Sequence, residues 1–372
     1  MTSEVKKILV RGTNWLGDAV MTIPAMLRLR ESFPDARIIL LAPPRAAEIF
    51  TGFPQVDEIV LYRRKEEGKK AFLETMQRLR RERFDLAILF QNAFEAALLT
   101  FLGRAKIRIG FDTQGRGLLL THKLNKPPAN RHQTNDYLDL IIEAERICLQ
   151  QNRPQMTQIE RVHADQTREN PHNPPNPRSI PAMTAQDSQL SSASNLLRQF
   201  GIQNGNNKLI VLNAGATNSR AKCWPENYFA ELADRMVHEL DAKIILIGAG
   251  SERENAERVI AQMKRPADAL NLAGKSTIPE LIGILAKANL VITNDTGPAH
   301  VAAALSVPTL TIFGPTNEFE TAPLGAHSEL IRAEGIECER CMHRECPIDH
   351  RCMTRINVDA VVEKSLSLLE KL

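Results

Sequence analysis

Three hundred and seventy-two residues, 43% of them hydrophobic and 24% charged, describe a globular chain with core enough for two domains of roughly 100 to 200 residues each. No apolar run approaches the roughly 20 residues that cross a bilayer, and Met1-Thr2-Ser3-Glu4-Val5-Lys6-Lys7 opens into Ile8-Leu9-Val10 rather than a secretory apolar region, so neither a membrane-spanning nor an exported protein is expected. Six cysteines are too few for a disulfide scaffold, and a net charge of +3 with 5% aromatics and no zinc-finger spacing argues against nucleic acid; the expectation is a cytoplasmic protein with reduced thiols.

In chain order, β-branched runs at 7–11, 37–42, 58–62, 85–90 and 106–110 predict strands, and amphipathic periodicity at 25–32, 69–83 and 136–149 predicts helices between them. From about residue 152 to 183 the chain turns polar and proline-rich, centred on Asn170-Pro171-His172-Asn173-Pro174-Pro175-Asn176-Pro177. Alternation then resumes, with strands expected at 208–213, 243–248, 269–272, 290–293 and 309–313 and helices at 226–240, 252–264 and 278–288. Such alternation is the sign of βαβ units and parallel sheets. The expected architecture is α/β: an N-terminal domain over 1–165, a linker over 166–185, a C-terminal domain over 186–356 and a final helix over 357–372. Residues 1–150 carry 24 Lys and Arg against 18 Asp and Glu, and residues 151–372 carry 23 against 26. The basic first half suits an acidic ligand or an anionic surface, or serves only solubility.

In open α/β sheets, ligands bind beyond the carboxyl ends of the strands, so the chemistry is sought there. The first strand runs into Arg11-Gly12-Thr13-Asn14-Trp15-Leu16-Gly17-Asp18. Glycines five apart imitate a phosphate-binding loop, but Asp18 stands where its lysine belongs, and the dinucleotide spacing of glycines is absent too. What remains is a carboxylate at a helix start, placed either to take a proton from a substrate hydroxyl or to cap the helix. Asn213-Ala214-Gly215-Ala216-Thr217-Asn218-Ser219-Arg220-Ala221-Lys222-Cys223-Trp224-Pro225 follows another strand, and its hydroxyls and Lys222 could hold diphosphate oxygens or form an ordinary polar loop. Glu252, after Gly248-Ala249-Gly250-Ser251, could meet a ribose hydroxyl or simply favour the helix dipole. Thr293-Asn294-Asp295-Thr296-Gly297-Pro298-Ala299-His300 leads into an apolar helix whose unpaired N–H groups make an anion site, or a plain capped helix.

With these blocks in order, the chain resembles the lipopolysaccharide heptosyltransferases, heptosyltransferase II type, of glycosyltransferase family nine. The resemblance rests on Asn14-Trp15-Leu16-Gly17-Asp18, Ala221-Lys222-Cys223-Trp224-Pro225, Asn271-Leu272-Ala273-Gly274, and Asn294 to His300 with Phe313-Gly314-Pro315-Thr316. It implies the GT-B fold, two Rossmann-like doubly wound domains facing across a cleft, with a final helix that packs back on the N-terminal domain. It implies an inverting transfer of heptose from ADP-heptose to the heptosyl-Kdo-lipid A inner core, with no cofactor required. By the same resemblance Asp18 is the general base. Thr217, Asn218 and Lys222 meet the donor phosphates, Glu252 the ribose, and Asp295, Thr296, Gly297 and His300 the diphosphate and sugar, with adenine near Gly274, Lys275 and Ser276. Asn14, Trp15, Arg63, Arg64, Arg116 and His132 are the acceptor candidates, against an anionic lipopolysaccharide at the cytoplasmic face of the inner membrane. Another donor or acceptor within the family, or a nucleotide-binding relic without turnover, is the alternative.

Cys338, Cys341, Cys346 and Cys352 lie outside the motifs that carry the resemblance. Their spacing, with His343 and His350 between, supplies soft ligands enough for a structural zinc or iron-sulfur cluster, although the spacers are shorter than those of zinc ribbons. Free thiols in a loop are the other reading.

Overall fold

The computed structural model describes residues 5–149, 177–202, 207–217 and 219–371. The chain divides into two compact units, Met1–Ile180 and Pro181–Leu372. Most of the expected linker, 166–176, lies outside the described residues.

In the first unit, β1 (Lys7–Arg11), β2 (Arg37–Ala42), β3 (Glu58–Leu61), β4 (Leu86–Leu89), β5 (Ile107–Phe111) and β6 (His122–Leu124) form one sheet in the order β3-β2-β1-β4-β5-β6. In the second, β7 (Leu209–Asn213), β8 (Lys243–Leu246), β9 (Ala269–Asn271), β10 (Leu290–Asn294), β11 (Thr309–Phe313) and β12 (Ser328–Arg332) run β12-β11-β10-β7-β8-β9. The pairings are parallel, with Val10 opposite Leu40 and Ile88 in the first sheet, and Ile292 opposite Leu212 and Leu310 in the second. Both orders are those of a doubly wound dinucleotide-type fold, whose strand order reverses beside the first strand of the unit. The reversals fall between β1 and β4 and between β7 and β10, so the loops after β1, β7 and β10 stand where such folds bind ligands.

The central strands read as continuous apolar runs because both faces are covered. Ile8, Leu9, Val10, Ile210, Val211, Leu212, Leu290, Val291 and Ile292 are all fully buried. Two edge strands were not anticipated. β6 has only three residues, and β12 is half-exposed along its whole length, so neither carries the apolar run that marks a central strand.

The final helix, Val358–Glu370, starts at Asn357, whose Oδ1 accepts the Ala360 N–H at 2.8 Å. Val361, Val362 and Leu368 join the second unit's core with Phe229, Met236 and Ile312. The helix thus buries these apolar residues within its own unit. Among the described residues, no helix is long and apolar enough to cross a membrane.

Candidate active site

In the first unit the loop after β1 is built around Arg11. Its guanidinium is buried, lies 5.3 Å from the Tyr62 ring centre, and donates from Nη2 to Asn14 Oδ1 at 3.1 Å. Burial pulls this guanidinium down to about 10. The Tyr62 hydroxyl donates to Glu95 Oε1 at 2.7 Å, and Arg64 Nε donates to Glu95 Oε2 at 2.8 Å. The tyrosine is driven upward first by burial and then by its bond to Glu95. Asn14 and Trp15 are exposed, and Lys65 Nζ lies 5.4 Å from the Trp15 ring centre.

Asp18 sits half-buried in the first turn of the helix Leu16–Met21, whose N-cap position is Trp15, so the carboxylate is not the cap. Its charge reaches Tyr137, whose hydroxyl is raised well above its ordinary value, first by burial and then by Asp18. Arg63 is exposed just before the turn Arg64–Glu67. His132 opens the helix Gln133–Leu149, its Nδ1 accepting the Thr134 N–H at 3.3 Å and its carbonyl the Asn135 N–H at 3.0 Å.

Arg116 requires correction as an acceptor contact. Its side chain is wholly buried, with Nε donating to the Phe111 carbonyl at 2.8 Å, Nη1 to the Gln91 carbonyl and Nη2 to Asn92 Oδ1 at 2.7 Å. Burial takes it down to about 10. The residue ties the loop after β4 to the end of β5, and its donors are already engaged.

In the second unit three loops converge at the carboxyl ends of β7, β10 and β11. Lys222 Nζ donates to Asp295 Oδ2 at 2.8 Å and to the Asp295 carbonyl at 3.2 Å. Asp295 is 4% exposed, and the same Oδ2 accepts the Thr316 hydroxyl at 2.8 Å. Thr296 is the N-cap residue of the helix Gly297–Ala304, and its Oγ1 accepts from Asn213 Nδ2 at 2.8 Å rather than capping. Gly297 and Pro298 begin the helix, where the missing proline N–H costs nothing, and His300 is buried one turn on. The start of this helix makes a positive end beside a lysine, an arrangement suited to a phosphate.

Glu252 accepts from the Ala249 N–H at 2.7 Å and from the Thr217 hydroxyl at 3.0 Å. Its carboxylate lies over two glycines: a Cβ on Gly215 would fall 2.5 Å from Glu252 Cδ, and one on Gly248 2.7 Å from Oε2. Gly274 has φ +73° and a Cβ there would meet Gly250 Cα at 2.6 Å, so two main chains touch beside this carboxylate. Lys275 turns away, donating to the Asn271 carbonyl at 3.0 Å with its ammonium 5.3 Å from the Phe200 ring centre, and Ser276 precedes the N-cap Thr277. Asn218 lies outside the described residues.

Three features were missed by the sequence reading. Asn294 is wholly buried, accepts the Trp224 N–H at 3.1 Å and donates to the Ala214 carbonyl at 2.9 Å, stitching two loops together. Thr316 orients Asp295. Asn294 was visible as a polar residue closing an apolar strand, and Thr316 as one three residues beyond another. The third is the segment 336–350, which binds the lysine turn from behind: the Ala221 N–H donates to the Arg344 carbonyl at 3.0 Å, and His350 Nε2 donates to the Ala221 carbonyl at 2.7 Å. On its other side the Met342 N–H donates to the Pro315 carbonyl at 2.9 Å. No local pattern announces contacts 129 residues apart.

Cys338, Cys341, Cys346 and Cys352 belong to this segment and are free thiols. Among the described residues, no three His, Cys, Asp or Glu side chains are gathered as a group that could hold a metal ion, so the metal reading of the cysteine spacing is not carried by the geometry. Cys346 Sγ instead accepts the His350 N–H at 3.3 Å, and Cys352 is buried, its thiol pushed up to about 11 chiefly by that burial. Cys223, beside the lysine, is likewise raised to about 11 by burial and is a poor nucleophile.

Comparison with known proteins matches residues 72–351 to glycosyltransferase family 9 (heptosyltransferase). Lipooligosaccharide heptosyltransferase 2 of Campylobacter jejuni is 28% identical over 98% of this chain and 98% of its own. Lipopolysaccharide heptosyltransferase 2 of Escherichia coli K12 is 27% identical over 88% of each. The solved E. coli ADP-heptose lps heptosyltransferase II superposes with a TM-score of 0.78 at 25% identity, covering 98% of this chain and 99% of that one. With a family model spanning most of its length and the loops of that fold at both strand-order reversals, the chain belongs to glycosyltransferase family 9, the heptosyltransferase family, and is a glycosyltransferase.

Proposed function

We propose that this enzyme transfers heptose from ADP-heptose, with inversion, to a sugar hydroxyl of the lipopolysaccharide inner core on heptosyl-Kdo-lipid A. The observation that carries the reading is the pairing of Lys222 with the buried Asp295 at the start of the helix Gly297–Ala304. Asp295, itself held by the Thr316 hydroxyl, holds the ammonium at the strand end, where it can share its charge with an arriving diphosphate. Glu252 takes the ribose, adenine lies near Gly274, Lys275 and Ser276, and Thr217, Thr296 and His300 complete the donor side. Asp18 accepts the proton of the acceptor hydroxyl as its oxygen bonds to the anomeric carbon. The bond from that carbon to the diphosphate oxygen breaks, and ADP leaves with the electron pair, stabilised by Lys222 and the helix start. Asn14, Trp15, Arg63, Arg64 and His132 face the acceptor, whose carboxylates and phosphates suit the basic first half. The enzyme works peripherally at the cytoplasmic face of the inner membrane.

The test is ADP release from ADP-heptose with and without heptosyl-Kdo-lipid A. Acceptor-dependent release that falls by roughly a hundredfold or more in Asp18→Asn is expected for a general base. No release by a folded protein that still binds ADP would move the reading to another sugar, another acceptor or a relic. Release that needs acceptor but ignores Asp18→Asn would remove the base and leave the transferase.

A further inference from the structure

The first unit carries an apolar surface that the transfer chemistry does not use. On the helix Phe94–Leu102, Phe94 and Phe101 are each 44% exposed, with Leu98 between them at helical spacing on the same face. Packed beside this helix is the turn Arg116–Leu119, from which Leu118 projects 94% exposed. The helix begins just beyond the carboxyl end of β4, and its residue Glu95 holds Arg64 and Tyr62, so the surface starts at the edge of the acceptor loop.

We infer that this surface docks the enzyme on an anionic lipid bilayer, an inference that rests on the peripheral-membrane part of the proposed function and gives it a place in the fold. Charge complementarity selects the occupant. Exposed Arg104 follows the helix, and the Arg108 guanidinium lies 5.4 Å from the Phe101 ring centre. The nearby carboxylates are already matched, Glu95 by Arg64, Asp85 by Lys106 at 2.7 Å and Asp112 by Lys123 at 2.7 Å, which leaves Arg104 and Arg108 as the excess positive charge. Apolar side chains rimmed by cations are the composition that sinks a short helix into the headgroup boundary and holds it to anionic lipid. Nine residues are too few to span, so the helix lies in the interface. A lipid-embedded acceptor is thereby brought to the loop carrying Asp18 without leaving the bilayer.

The experiment is co-sedimentation of the full-length enzyme with phosphatidylglycerol–phosphatidylcholine vesicles, comparing wild type, the double variant Phe101→Asp with Leu118→Asp, and Arg104→Glu. Wild type should bind these vesicles, lose binding at high salt and bind pure phosphatidylcholine weakly. The double variant should partition about tenfold less or worse, and Arg104→Glu should fall by a smaller factor. Melting temperature and ADP binding report folding; if the double variant unfolds, Leu118→Ser replaces it, since so exposed a side chain packs against little. Binding equal to wild type in folded variants overturns the assignment of this surface, whereas wild type that ignores every vesicle overturns the membrane contact itself. A dimer in solution that the double variant abolishes, with unchanged vesicle binding, makes the surface a contact between copies of this chain and also overturns the inference. Transfer to a deacylated, water-soluble acceptor should be kept by the double variant, so a failure of the chemistry and a failure of docking read out separately.

Discussion

Lys222 is a charge held by other charges, and the grip matters more than the residue alone. Its ammonium and the buried Asp295 carboxylate meet at 2.8 Å, so removing the lysine strands a buried anion. Lys222→Met is expected to lower stability by about 2 kcal/mol as well as donor affinity, measured by urea unfolding and calorimetric ADP titration. A second residue-scale prediction concerns His350, which holds the Ala221 carbonyl next to that lysine. His350→Ala is expected to raise the donor KM about fivefold, the size of one net hydrogen bond, with a smaller change in kcat. An equal fall in kcat and kcat/KM, with KM unchanged, would instead place His350 in the transition state. At this scale the sequence was partly legible. Lys222, Asp295 and Thr296 stood out as polar groups after apolar strands. Arg116 did not read correctly, because a cation between two glycines looks like a solvent loop until β5 and the Gln91 carbonyl are brought around it.

At the scale of elements, the segment 336–350 and β12 are bound to the site by one buried carboxylate. Glu318 receives Arg332 and Arg340, the latter also 4.8 Å from the Phe319 ring centre. Burial alone would raise this carboxyl, but the bonds from Arg340 and Arg332 hold it below the ordinary carboxylate range. A depressed native-state value means the unfolded chain binds the proton first. The stabilisation is therefore fully present above the ordinary carboxylate value of about 4.3 and is lost as pH falls through the lower native value. Glu318→Gln should cost about 1 to 2 kcal/mol at neutral pH and flatten the acid limb of the stability curve, as urea midpoints against pH would record. An unchanged acid limb would assign the acid sensitivity to Glu82, Asp85 or Glu226, whose carboxyls are also lowered. The apolar strands were legible from their β-branched runs, while the edge strands β6 and β12 were not. An edge strand has one neighbour and a wet flank, so selection for an apolar run is weak there.

Across the whole molecule, the donor residues identified between Asn213 and Thr316 all belong to the second unit, whereas Asp18 belongs to the first. ADP affinity should therefore be unchanged within a factor of about two in Asp18→Asn and fall at least about tenfold in Lys222→Met, the two titrations separating nucleotide binding from proton transfer. A matching loss of ADP affinity in Asp18→Asn would contradict this division. The α/β class and the two-domain plan followed from alternation of strand and helix patterns interrupted by a proline-rich stretch. Strand order did not, since nothing local in a strand tells it which neighbour it will take.

Among the described residues, each sheet draws its six strands from one stretch of chain, β1 to β6 and then β7 to β12, and neither borrows a strand from the other. Hydrogen bonding in the first sheet is thus complete once its sixth strand has emerged from the ribosome, before any residue of the second sheet has been made. The open edges that invite mispairing in a growing chain are then confined to one sheet at a time, and synthesis itself sets the order of assembly.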